Sequence, residues 1–127
     1  MSLNIITGNK GFVGLNLVEY LTIKDKLTLG VSRNPIENEI SYANLKVDLI
    51  NKAKSIIHLA GKAHDFKKTS DDKEYFQVNT ELTKIIFDEF LESTCEVFIY
   101  MSSVKAVADV VKGVLKEDEI PNPITAY

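Results

Sequence analysis

The residues best suited to chemistry stand near the amino end. Thr7-Gly8-Asn9-Lys10-Gly11-Phe12-Val13-Gly14 is a glycine pattern between a short apolar run, Leu3 to Thr7, and a segment from Phe12 to Ile23 with Val13, Leu17 and Leu21 at helical spacing. Between a strand and a helix each glycine has a use. Gly8 permits a tight turn, Gly11 lets backbone N–H groups approach a pyrophosphate, and Gly14 lets the helix pack closely on the strand, while the helix N-terminus favours an anion. Dinucleotide binding is the chemistry this serves; the alternative is three glycines acting only as a turn. Asn9, Lys10, Phe12 and Val13 complete the segment and are counted with it as cofactor-binding.

Which dinucleotide fits turns on the residue after the second strand. A carboxylate there accepts the adenosine ribose hydroxyls, and an Arg accommodates a 2′-phosphate. This chain has Ser32-Arg33, and Arg33 is its single Arg, which leans the reading toward NADP over NAD; a solvated loop Arg is the alternative. His58 and His64 are the two imidazoles, and neither shares metal-ligand spacing with Cys95 or with paired carboxylates. No metal site is expected. His58, at the end of an apolar run, is expected to pack and hydrogen-bond rather than to catalyse. His64-Asp65 falls on a loop and is a substrate-side candidate, and Cys95 reads as a small buried hydrophobe.

Short strands and helices must position these groups. Strands are predicted at Leu3–Thr7, Leu27–Val31, Ser55–Leu59 and Val97–Met101, with a further short one at Leu45–Val47. Helices are predicted over Phe12–Ile23 and Asp71–Glu92, the second carrying Tyr75, Val78, Leu82, Ile85, Ile86 and Phe90 along one face. Ser32–Ser41, with Asn34-Pro35, and Lys62–Ser70 read as loops, Ser102–Asn122 as irregular, and Pro123–Tyr127 as the start of a helix. Strands alternating with helices imply an α/β fold, a Rossmann-like, doubly wound parallel sheet covered on both faces. No repeat or linker divides the chain, so residues 1–127 read as one dinucleotide-binding domain.

Composition excludes several classes. With 127 residues, 45% apolar and 26% charged, the chain is an ordinary globular domain rather than a disordered or collagen-like one. A net charge of −3 gives no basic surface for nucleic acid. The longest uncharged run, Met1–Asn9, is far short of a membrane span, which takes roughly 18 residues or more. No signal-peptide pattern opens the sequence and one cysteine allows no internal disulfide, so a cytoplasmic setting is expected.

The glycine turn resembles that of the extended short-chain dehydrogenase/reductase family, in its nucleotide-sugar epimerase/dehydratase branch, whose pattern Thr-Gly-x-x-Gly-Phe-x-Gly it matches fully. Three further segments follow in the family's order: His58-Leu59-Ala60-Gly61, Val78-Asn79-Thr80 and Met101-Ser102-Ser103. The resemblance implies that Leu59, Ala60 and Gly61 form a turn beside the cofactor, that Asn79 is the family's mid-helix Asn, and that Asp48 contacts the adenine. It further implies that Ser103 is a catalytic hydroxyl that helps hold the sugar and that Tyr127 is the proton-transferring phenol of a Tyr-x-x-x-Lys motif. Taken singly, Ser102-Ser103 and Asn79 have plain alternatives, satisfying backbone groups at a strand end or standing on a helix surface.

By this resemblance the cofactor is NAD or NADP and the full-length relative's substrate is a nucleotide sugar, oxidised at a hydroxyl by hydride transfer, in polysaccharide biosynthesis. The Lys that would follow Tyr127 by four residues lies outside the sequence. That Lys lowers the Tyr pKa and binds the nicotinamide ribose. The expectation is therefore an amino-terminal part of such an enzyme, truncated before the later strands and the substrate-binding region and inactive as it stands. A non-catalytic dinucleotide-binding module is the alternative. An uncovered sheet edge and the outer face of the long helix, which in that family helps build a dimer interface, lead to an expectation of self-association.

Overall fold

The computed structural model describes residues 2–62 and 72–124. Five strands, β1 (Leu3–Thr7), β2 (Leu27–Val31), β3 (Glu39–Ile40), β4 (Ala53–His58) and β5 (Val97–Tyr100), form one sheet in the order β3-β2-β1-β4-β5. Every neighbouring pair is parallel. The chain moves outward from β1 through β2 to β3, then crosses back to lay β4 on the other side of β1. That reversal opens a crevice at the carboxyl ends of β1 and β4, the place where open α/β sheets hold ligands.

The central strands are apolar on both faces because both are covered. Ile5 and Ile6 are consecutive and fully buried, as are Ile56 and Val31. Ile5 and Ile56 point to the face that also holds Ile50, Leu45, Cys95 and Ile86. Ile6 points by alternation to the opposite face, under α1 (Phe12–Ile23). Burying an Ile side chain contributes about 1.5–3 kcal/mol, so this central quartet is a main source of stability. Cys95 lies in the same cluster, buried as expected. On α1 the residues turned inward are Gly14, Leu17, Val18 and Leu21; Val13, expected on that stripe, is 49% exposed.

The long helix runs as α3 (Asp72–Tyr75), a π-helical segment (Phe76–Glu81) and α4 (Leu82–Leu91). The wider π turn resets the helical phase. Leu82, Ile86 and Phe90 face the core, but Ile85, expected among them, is 58% exposed, and Thr83 turns inward instead. Phe90 and Phe87 pack on Phe98 of β5, at ring distances of 5.2 and 5.1 Å.

The strand predicted at Leu45–Val47 does not form. The third strand comes earlier, inside the stretch read as a loop, where Glu39 and Ile40 pair with Gly30 and Val31. Tyr42–Asn44 is a 3₁₀ turn, Leu45 is a core residue, and Val47 opens a one-turn helix, α2 (Val47–Ile50). The few residues before β4 leave room for just that turn, and its start is stabilised from outside, where Val47 N–H donates to Glu89 of α4 (3.1 Å). Beyond β5 the described chain is mostly irregular, with a 3₁₀ turn at Val104–Ala106. No helix among the described residues is long and apolar enough to cross a membrane.

Candidate functional site

The glycine turn fills the crevice end of β1. Gly8 sits at φ 68°, and a Cβ there would lie 2.7 Å from the Ala60 nitrogen, so the turn and the segment after β4 are pressed backbone to backbone. Gly11 N–H donates to Gly8 O (2.9 Å), closing the turn, and Gly11 is the N-cap of α1. At Gly14 any Cβ would run into the Gly8 carbonyl oxygen, so only glycine lets the helix start this close to the strand. The start of α1 has no side-chain cap and no acidic residue in its first turn. Its free N–H groups and the positive end of its dipole are open to an anion, which is the donor set a pyrophosphate requires. Phe12 is 85% exposed beside it.

A chain of hydrogen bonds ties this turn to β4 and the long helix. Leu59 N–H donates to Thr7 O (3.2 Å) and Ala60 N–H to Thr7 Oγ1 (3.2 Å). Thr7 Oγ1 lies 2.6 Å from His58 Nδ1, and His58 Nε2 lies 2.8 Å from Thr83 Oγ1, whose own hydrogen goes to Asn79 O (3.0 Å). One assignment satisfies every atom: Thr7 donates to Nδ1, and a neutral imidazole donates from Nε2 to Thr83. Burial pushes the His58 pKa down to about 4, in accord with a ring that stays uncharged. His58 is thus a buried strut, as its position in the sequence suggests.

Asn79 lies in the π-helical segment and grips the loop after β4 at both backbone groups of Lys62. Its Oδ1 accepts from Lys62 N–H (2.6 Å) and its Nδ2 donates to Lys62 O (3.0 Å). Gly61 lies close to the same amide. Gly8, Leu59, Ala60, Gly61 and Asn79, from three separate stretches of sequence, therefore converge on one crevice.

The remaining predicted residues separate into near and far. Ser32 is buried at the tip of β2, and Arg33 beside it is exposed, with no ion pair or side-chain hydrogen bond among the described residues. Asp48 is exposed in the first turn of α2, which replaces the strand expected to precede it. Ser103 follows β5 and is engaged locally: its Oγ accepts from Lys105 N–H at 3.3 Å, capping the 3₁₀ turn. That is the backbone-satisfying use noted for it from sequence. Met101 N–H donates to His58 O, which brings this segment to the end of β4. Tyr127, His64 and Asp65 lie outside the described residues.

Sequence reasoning missed Glu39. Its Oε1 accepts from Asn9 Nδ2 (2.7 Å), and its Oε2 accepts from Ser32 Oγ (3.0 Å) and Ile36 N–H (3.0 Å) and pairs with Lys10 Nζ (2.9 Å). Burial works against its charge, but the Lys10, Ile36, Asn9 and Ser32 donors prevail and hold its pKa at about 2. Asn9 Oδ1, by contrast, is buried with no partner, an acceptor left over beside the turn. The only signal in the sequence was a pair of carboxylates, Glu37 and Glu39. Asn38, at φ 64°, makes the turn between them that sends the second one inward.

Known proteins resemble this chain in sequence and in fold. The family model for the NAD dependent epimerase/dehydratase family matches residues 4–127. A UDP-glucose 4-epimerase of Vibrio cholerae is 31% identical over 117 residues, covering 80% of this chain and 34% of that protein. The low-salt glycan biosynthesis protein Agl12 of Haloferax volcanii is 24% identical over 143 residues, covering 97% of this chain and 46% of its own. Among solved structures, MoeE5 in complex with UDP-glucuronic acid and NAD superposes with a TM-score of 0.82 at 26% identity, over 100% of this chain and 44% of that one. The chain spans less than half the length of each of these three proteins. From a glycine turn seated at the crevice of a parallel sheet, and a family match that runs from Asn4 to Tyr127, it follows that the chain belongs to the NAD dependent epimerase/dehydratase family.

Proposed function

We propose that the chain binds a nicotinamide dinucleotide across the carboxyl ends of β1 and β4. It is the nucleotide-binding part of an enzyme acting on a nucleotide sugar, an epimerase, dehydratase or ketoreductase of polysaccharide biosynthesis. One observation carries this reading: the uncapped start of α1 stands behind a glycine turn that is pressed onto Ala60. The fit is chemical as well as steric, since free N–H groups and a dipole end suit the anionic pyrophosphate, and the unpartnered buried acceptor at Asn9 suits a hydroxyl donor. The UDP-sugar and NAD complex of MoeE5 supports the substrate and cofactor classes. The glycan biosynthesis relative supports the setting.

On this reading each group has a task. The Phe12 and Val13 amides hold the pyrophosphate, with Gly11 closing the turn beneath it, Ser32 and Arg33 line the adenosine ribose, and Asp48 contacts the adenine. Leu59, Ala60 and Gly61 wall the crevice, with Asn79 fixing their loop through Lys62. When bound, the nicotinamide accepts a hydride from a sugar hydroxyl. Ser103 would hold that hydroxyl, and Tyr127 would take its proton in a polypeptide that supplies a lysine four positions further on. The 127-residue chain by itself is expected to bind without turnover, in the cytoplasm, where the single thiol of Cys95 stays reduced.

Calorimetric titration with NAD⁺ and NADP⁺ tests the core of this reading, with saturable one-to-one binding of at least one nucleotide expected. Absence of binding to both would overturn it. Assays with UDP-sugars then separate binding from turnover. Self-association through the β5 edge is also proposed. It is supported by Val97 and Ile99, 38% and 45% exposed on the face turned away from α4. A clean monomer in sedimentation at high concentration would exclude it.

A further inference from the structure

We propose that Glu39, carried to the tip of β2 by β3, selects the dinucleotide: it holds Lys10 of the glycine turn in an internal ion pair, so that the site takes a free adenosine 2′-hydroxyl and refuses a 2′-phosphate. This rests on the dinucleotide reading above, and it reverses the leaning toward NADP that Ser32-Arg33 suggests.

Position is the first argument. The carboxylate touches Asn9 and Lys10 of the turn on one side and Ser32, the first residue after β2, on the other. It therefore stands where the acid that reads the ribose hydroxyls is wanted, but arrives from a neighbouring strand. The register makes this possible, since Glu39 lies opposite Gly30, one residue short of the end of β2. Gly30 has no side chain, and the Asn9 amide occupies that space and meets Glu39.

Charge is the second argument. Around a ribose at the tip of β2, Lys10 and Arg33 are the cations a 2′-phosphate would seek. Lys10 is already committed, to Glu39 at 2.9 Å and to the Asn34 carbonyl at 2.6 Å. The Ser32 hydroxyl is likewise spent on donating to Glu39. The Glu39 side chain is 8% exposed, so its negative charge is weakly screened by solvent. A phosphate dianion placed beside it meets repulsion that the exposed Arg33 offsets only in part, whereas a neutral hydroxyl meets an acceptor. Discrimination of this kind depends on the repulsive element as much as on the attractive one.

Calorimetric titration of the chain with NAD⁺ and NADP⁺ at low and moderate salt tests the proposal. The unmodified protein should bind NAD⁺ at least tenfold more tightly. Glu39→Gln should move the affinity ratio toward NADP⁺ by tenfold or more, because Lys10 and Ser32 become available, and adding Lys10→Gln should remove most of that gain. Should Glu39→Gln fail to fold, Lys10→Gln alone, at the exposed end of the pair, leaves the Glu39 carboxylate uncompensated with its other donors in place and must widen the preference for NAD⁺. A wild-type preference for NADP⁺, or a ratio unmoved in these variants, would overturn the role of Glu39 while leaving dinucleotide binding intact. Binding of neither nucleotide would instead remove the reading on which it depends.

Discussion

Two regions at the carboxyl ends of the strands contrast sharply. The glycine turn with the segment after β4 is pressed together by buried atoms: Thr7 and His58 have no exposed surface, and nearly every polar group there has a partner. The segment after β5 is loosely built. Val104, Val110, Val114, Ile120 and Ile124 are each 65% exposed or more, and the Ser103 side chain makes a single long hydrogen bond, to its own turn. A dinucleotide site needs rigid backbone at a fixed spacing, and that rigidity is supplied within the described fold. The Ser103 side instead exposes apolar surface.

The contrast makes graded predictions. The largest effect is expected at Gly14, where Gly14→Ala puts a methyl group into the Gly8 carbonyl and must move either the helix or the turn. Overpacking against backbone costs roughly 1–3 kcal/mol and sometimes more. Thermal melting should show that loss together with loss of nucleotide binding, and a variant that binds and melts like the parent would break the distinction between the regions.

Acid should act next, again on the tight side. His58 takes up its proton near 6.5 when unfolded and near 4 when folded, so between those values the unfolded state holds more protons and stability falls as the pH drops. Glu39 has a pKa of 4.5 unfolded and about 2 folded, and its contribution, complete above 4.5, is lost as the pH falls toward 2. Melting curves from pH 7 to 3 should therefore decline in two stages, and His58→Gln should flatten the upper one. An upper stage that persists in His58→Gln would assign it to another group.

The smallest effect belongs to the loose side. Ser103→Ala removes one 3.3 Å bond to Lys105 and should cost about 0.5 kcal/mol, the low end for a capping residue, with nucleotide affinity little changed. In a polypeptide competent for turnover the same change should depress kcat far more than stability. An effect on melting as large as that of Gly14→Ala would show the two regions to be equally integral to the fold.

Local pattern alone made the strands β1, β2, β4 and β5, helix α1 and the glycine turn legible, because buried parallel strands are short apolar runs and a tight strand-to-helix turn demands glycine at fixed places. The burial of His58 and Cys95 was legible for the same reason. Tertiary structure decided the rest. Glu39–Ile40 has no strand signal of its own and becomes β3 by pairing with Gly30–Val31; the turn at Asn38, not composition, sends Glu39 rather than Glu37 inward. On the long helix Thr83 rather than Ile85 turns inward, and Asn79 and Thr83 serve partners distant in sequence, Lys62 and His58, which periodicity cannot report. Periodicity reports which residues share a face, whereas the charge beside the glycine turn depends on which strand lies next to which, and that is fixed only when the whole sheet has assembled.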